Sequence, residues 1–277
     1  MAQLWAFTTF VLHLTGAIAL FVFAAWLFPR RERLGSAGGA ILAAAGLMGL
    51  WGIASAAIGH DAHLTSALFS LSGLGWLFAL YRLFANDGRH SSVRPIRPVI
   101  LVLAMVELTQ FGLQIAAARL AGPPQMNELL LGITVTLRLL GSVGALVLVH
   151  NLYVGASPAG RLNLRWPATA LAAMWLYDLN YYTIAYLFGA LPEVLIDLRG
   201  ALMLVMAVFL TLGAARGGAE IRLRASRSVA FQSFSLLVIG GYLVCMVLVA
   251  QALAYVGSDS ARLIQIVFVA AASVTAL

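Results

Sequence analysis

The residues in this chain with the most chemical potential are ionisable groups set inside long apolar runs. Glu107, Arg138 and Asp178 each stand near the middle of such a run. A charge at that depth in a bilayer costs about 2.5–3.5 kcal/mol even on lenient insertion scales, so it persists where it pairs, faces a cavity or serves a site. Glu107 and Arg138 lie on successive, antiparallel runs at matching depth, and the spacing predicts an ion pair between them. Glu107, Gln110 and Gln114 share one helical face. Asp178 shares a face with Trp175, Tyr181 and Tyr182, which places the tyrosine hydroxyls to hydrogen-bond its carboxylate. Two readings of this set stay open. It is a satisfied polar core that fixes helix order, or it is a ligand, proton or lipid-sensing site whose candidates are Glu107, Arg138, Asp178, Tyr181 and Tyr182.

Other reactive side chains carry less. His60, Asp61 and His63 bring two imidazoles and a carboxylate into one short gap, and zinc or copper uses such groups. No further ligand accompanies them, so a polar turn is the plainer reading and no metal site is assigned. His13 and His150 lie in apolar runs and read as hydrogen-bonded helix residues. His90, in Arg89-His90-Ser91-Ser92-Val93-Arg94-Pro95, sits in a short connection, whereas a phospho-accepting histidine belongs on a long dimerising helix. The single Cys245 excludes a disulfide or a cysteine metal cluster within one chain. No glycine-rich phosphate loop, serine elbow or HExxH helix is present, so no motif asks for a cofactor or assigns a catalytic residue.

The elements that position these groups are membrane helices. Apolar residues make up 62% of the 277 residues and charged residues 10%, against about 45–50% and about 25% in soluble domains. About 20 mostly apolar residues cross the hydrocarbon core. Eight stretches qualify: Leu4–Phe28, Gly38–Gly59, Leu64–Ala85, Pro98–Ala118, Leu129–Val154, Trp166–Gly189, Leu195–Ala215 and Val229–Val256. A ninth, Leu263–Leu277, is apolar to its last residue but short, and is read as truncated. The expected fold is therefore an all-α integral membrane bundle of eight complete helices plus one truncated helix, forming a single polytopic domain over residues 1–277. Small-residue stripes at Gly49, Gly52, Ala56 and Gly59, and at Ser66, Ser70 and Gly73, predict close helix packing.

The cationic side chains are all arginines, and they collect in alternate gaps. Arg30, Arg31 and Arg33 follow the first run. Arg82, Arg89, Arg94 and Arg97 surround the third gap, Arg161 and Arg165 lie in the fifth, and Arg216, Arg222, Arg224 and Arg227 in the seventh. The intervening gaps hold Asp61, Glu128, Glu193, Asp197 and Asp259, with only Arg119, Arg199 and Arg262. The positive-inside rule then puts the N-terminus outside and, after nine crossings, the C-terminus in the cytoplasm. The formal charge of +7 is thus a topology signal, and no basic stripe with stacking aromatics suggests nucleic acid as a partner. The first run lacks a basic leader and is too long for a cleaved signal peptide.

The second half carries a spaced series of motifs: His150-Asn151-Leu152-Tyr153, Arg165-Trp166, Tyr177-Asp178-Leu179, Leu187-Phe188, Asp197, Arg199-Gly200, Ser226-Arg227, Phe231-Gln232-Ser233, Gly241-Tyr242-Leu243, Gln265 and Phe268. Over roughly Val149–Leu277 this series resembles the N-terminal membrane sensor region of the PrsK family, the histidine kinases of the PEP-CTERM/exosortase system. The first half matches only in helix layout. The chain departs from the family at Gln232, where the family tends to have His, and at Val256-Gly257-Ser258-Asp259, where it tends to have a Trp-Gly pair. The matching motif residues include Tyr177, Asp178, Arg199, Gly200, Ser226 and Arg227.

That resemblance implies a sensor and signal-transducing module in the bacterial inner membrane, linked to exopolysaccharide and protein-sorting genes. It implies a cytoplasmic GAF-like segment and kinase core after residue 277, a homodimer formed through that kinase, and a response regulator as partner. The 277 residues themselves hold no phospho-acceptor helix or ATP-binding domain, so no enzyme is expected of them alone. The alternative is a multi-pass transporter of a small molecule or ion, which mid-bilayer charges also suit. Glycine- or proline-broken helices at the midplane, the usual mark of that class, are absent from the pattern.

Overall fold

The structure is a computed structural model that describes residues 2–35, 37–85, 96–119, 124–189, 191 and 193–216. It is all-helical. In lipid only a helix or a closed barrel satisfies every backbone group within the segment, and the long apolar runs take the first solution. Helix α1 is Ala2–Leu27, followed by a 3-10 turn at Phe28–Leu34 that Pro29 opens. Then come α2 (Ala37–Ile58), α3 (His63–Ala85), α4 (Arg97–Arg119), α5 (Pro124–Gly155), α6 (Pro158–Phe188) and α7 (Glu193–Arg216).

Local chemistry sets several of these ends. Ser157 caps α6, its hydroxyl accepting from the Gly160 amide at 3.1 Å, and Pro158 takes the first position, where no amide is needed. Gly189 ends α6 in the left-handed region at φ 67, a conformation that a Cβ disfavours.

The helices close a ring. Each packs on its sequence neighbours, α7 returns to α1, and α3 also touches α5 across the middle. The α1–α7 contact is made at Gly16 and Gly200. A Cβ on Gly200 would run into the backbone of Leu12 and His13, and one on Gly16 into the Gly200 carbonyl. Glycine at both places lets the two backbones touch.

Six helical segments are long and apolar enough to cross a membrane: Phe7–Glu32, Ala37–Ile58, His63–Ala85, Arg97–Ile115, Glu128–Gly155 and Val194–Ala215. The chain is a multi-pass membrane protein. The expected count of eight complete spans plus one is not met among the described residues, which hold seven α-helices and six such spans. Helix α6 has the length, but Tyr177, Asp178, Asn180, Tyr181, Tyr182 and Tyr186 make it too polar to qualify by hydropathy. The runs Val229–Val256 and Leu263–Leu277 lie outside the described residues.

The alternation of helices gives the bundle two ends. One carries the 3-10 turn, the α5–α6 turn and the arginines Arg30, Arg31, Arg82, Arg97, Arg161 and Arg165. The other carries the α2–α3 turn with His60 and Asp61 and the α6–α7 turn. The core differs along that axis. Toward the Arg-rich end it is a continuous apolar cluster that includes Leu20, Leu27, Ala44, Leu80, Leu148, Leu152, Leu171 and Met206. Toward the other end the buried side chains include His13, Ser55, Thr65, Ser70, Gln110, Asp197 and Arg199. Asn151 is the one buried polar side chain deep in the Arg-rich half among the described residues.

Candidate functional site

A small cavity of about 30 Å³ lies at the boundary between the two halves, with Glu107, Arg138, Asp178 and Arg199 in its wall. That is room for one or two water molecules. Six helices contribute lining residues, from Met48 on α2 to Leu202 on α7. All three mid-run charges singled out from the sequence therefore meet at one place, joined by a fourth.

Glu107 and Arg138 form the expected pair. Nη1 of Arg138 lies 2.6 and 2.8 Å from the two Glu107 carboxylate oxygens. Its other terminal nitrogen, Nη2, donates to the Ser70 hydroxyl at 2.8 Å. The guanidinium plane sits 4.8 Å from the Phe69 ring centre. Room for the carboxylate comes from α3: a Cβ on Gly73 would stand 3.1 Å from the Glu107 carboxyl carbon. Gln110 and Gln114 extend the network, Gln110 donating to the Thr134 carbonyl at 2.9 Å and Gln114 to the Ser70 hydroxyl at 3.4 Å.

The second pair corrects the sequence reading twice. Asp178 is bonded by Arg199, in a short ion pair, and not by the hydroxyl of Tyr181 or Tyr182. Arg199 in turn is no gap residue. Helix α7 starts at Glu193, so Arg199 lies well inside it and is only 5% exposed. Counted as an outer topology charge, it is a core residue at the depth of its partner.

Around the Arg199 guanidinium stand four rings: Phe69 at 4.5 Å, Tyr181 at 5.4 Å, Tyr177 at 5.7 Å and Trp51 at 5.8 Å. Such faces attract a cation most where water is excluded. Tyr177 donates its hydroxyl to the Leu195 carbonyl, tying α6 to α7 beside the pair. Tyr181 and Tyr182 meet edge to face at 4.8 Å and pack with Val135 and Ala185. Tyr181 thus joins the rings around Arg199, and Tyr182 packs against it in a separate cluster.

Phe69 was missed by sequence reasoning, and so was the polar role of Ser70. Phe69 touches both guanidiniums and so links the two ion pairs. Ser70 and Gly73, read as a small-residue packing stripe, are a seat for the Arg138–Glu107 pair. The stripe on α2 does serve packing. A Cβ at Gly49 would meet the Phe21 ring at 2.9 Å, and one at Gly52 the Met203 side chain at 2.6 Å. Gly59, its last member, is instead the turn residue, at φ 86.

The remaining candidates lie elsewhere. His60 and Asp61 stand 3.4 Å apart on the exposed α2–α3 turn, and His63 opens α3. Among the described residues no group of three or more His, Cys, Asp or Glu side chains is gathered to hold a metal. His13 is buried, its Nδ1 3.0 Å from the Thr9 carbonyl and its ring edge-on to Trp51 at 5.5 Å. His150 faces outward. Ser226, Arg227, His90 and Cys245 lie outside the described residues.

No family model, curated protein or solved structure matches the chain.

Proposed function

We propose that the bundle is a sensing and signal-transducing module of a PrsK-like histidine kinase in a bacterial inner membrane, with its Arg-rich end in the cytoplasm. The observation that carries the reading is the pair of buried ion pairs sharing Phe69 in one cavity, set above an apolar half. A transporter needs a polar route to both faces. Among the described residues the buried polar groups stop at mid-bundle, save Asn151, which favours sensing over transport. The likeness to PrsK rests on the spaced motifs of the second half alone.

Four charges with two possible pairings make a switch with discrete states. Arg138 and Arg199 both contact Phe69, so a small movement of α5 or α7, which carry the two guanidiniums, would change which carboxylate each meets. A stimulus shifts such an equilibrium only by binding its states unequally. Helix α7 carries Arg199 and runs on to Arg216 at the Arg-rich end, which gives the change a rigid path toward a cytoplasmic dimer and its response regulator.

The test is Asp178→Asn in the protein expressed with whatever its reading frame encodes past Leu277. Autophosphorylation and reporter output are expected to lose their response to stimulus or lock in one state. Unchanged output would overturn the switch, and a stop codon directly after Leu277 would overturn the kinase assignment. Substrate flux in proteoliposomes would reinstate the transporter.

A further inference from the structure

The described arginines include two contrasting groups. Arg138 and Arg199 are buried, and each has a carboxylate as partner. Arg30, Arg31, Arg161 and Arg165 stand at the Arg-rich end, and among the described residues none has a carboxylate within 4.0 Å. Glu32 is the one acidic side chain described at that end.

Neutral groups of the chain orient these four. Nη1 of Arg30 donates to the Trp26 carbonyl at 2.8 Å, and its guanidinium stands 4.9 Å from the Trp26 ring. Arg31 stands 4.6 Å from the Phe28 ring, and Arg165 4.9 Å from the Trp166 ring. Arg161 donates from Nε to the Ala156 carbonyl at 3.1 Å and from Nη2 to the Val154 carbonyl at 2.8 Å. A carbonyl or a ring face aims a guanidinium without cancelling its charge. Each guanidinium has five N–H donors, and these contacts leave at least one edge of each unspent.

The depth of this rim selects the occupant. Membrane spans adjoin both sites: α1 and α2 flank the 3-10 turn, and α5 ends at the α5–α6 turn, so the residues there lie at headgroup level, where aromatic rings and arginines collect. Phe28 is 61% exposed there and so faces the acyl boundary beneath Arg31. We infer that Arg30, Arg31, Arg161 and Arg165 form a recognition surface for the phosphate headgroups of anionic phospholipids, which supply the counter-charge that the described chain lacks. A phosphodiester accepts two parallel N–H bonds from one guanidinium edge. A zwitterionic headgroup offers the same oxygens but brings its own cation. This inference is independent of the sensing role.

The test uses the full chain in lipid nanodiscs of phosphatidylcholine with a minor fraction of phosphatidylglycerol, read by spin-labelled lipids of each kind. Phosphatidylglycerol is expected to be enriched several-fold in the motionally restricted shell. The variants R30Q/R31Q and R161Q/R165Q should each remove part of that enrichment, on the order of fivefold per arginine at most. The fourfold Arg→Lys variant, checked for helicity by circular dichroism, should keep most of it because the charge remains. Equal retention of the two lipids by the wild type would overturn the proposal, as would enrichment undiminished in both Gln variants. Release of the labelled phosphatidylglycerol by inorganic phosphate would also overturn it, by assigning the rim to free anions.

Discussion

The two halves of this bundle solve the problem of a buried interior in opposite ways. Toward the Arg-rich end, side chains such as Leu80, Leu148 and Leu152 fill the space by shape alone, and the charges stay at the rim. Toward the other end, charges enter the core and are compensated in place by carboxylate, hydroxyl and ring. The apolar half can be repacked by any side chains of the right volume. The polar half cannot, because its four charges Glu107, Arg138, Asp178 and Arg199 each have an opposite charge as partner. The difference teaches where the molecule can hold two states: packed apolar layers have one good arrangement, while a set of four charges has more than one pairing.

The largest expected effect comes from breaking one partner of a buried pair. Asp178→Leu or Arg199→Met alone is expected to lower stability by about 3–5 kcal/mol, because it strands the other charge. The two changes together should recover most of that loss. Reversible unfolding in mixed detergent micelles measures both. A single change costing under about 1 kcal/mol would mean that water or lipid reaches the survivor, and the contrast between the halves would fail.

The matching change in the apolar half is Leu80→Ala. Leu80 is fully buried, and the cavity should cost about 3 kcal/mol. Leu80→Met, which conserves volume, should stay within about 1.5 kcal/mol. The same unfolding assay reads both, and the response to stimulus should survive Leu80→Met intact while Asp178→Asn removes it. Equal loss of response in the two variants would make the apolar half part of the switch.

Much of this was legible in the residues. Hydropathy located all seven described α-helices, because a run long enough to span lipid has no competing structure, but α5 begins five residues and α6 eight residues before the predicted runs. It overcounted the apolar spans at α6, where tyrosines that wall the charged site dilute the hydropathy of the helix. Matching depths on neighbouring runs found the Glu107–Arg138 pair. The same argument would have found Asp178–Arg199, but Arg199 had been assigned to a gap, since charge near a run's end looks like topology. The predicted run Leu195–Ala215 already enclosed Arg199, and α7 starts only two residues earlier, at Glu193. Phe69 was hidden for another reason: one phenylalanine in a membrane run is indistinguishable from a lipid-facing one until the ring of helices closes.

Ser70 offers the smallest effect and the sharpest discrimination between the halves. As a member of a packing stripe it would tolerate alanine, which is as small and forms helix at least as well. As an acceptor for Nη2 of Arg138 it carries a hydrogen bond to a charged group, and its loss leaves a buried donor on a cation. Ser70→Ala is therefore expected to cost about 1.5 kcal/mol, and the cost should vanish in the background where Glu107 and Arg138 have both been replaced by apolar residues. That coupling is the quantity to measure, since a double-mutant cycle separates the contact from helix propensity and packing. A neutral Ser70→Ala, or a cost that persists without Arg138, would return the stripe to packing and confine the polar seat of the site to the carboxylates and rings.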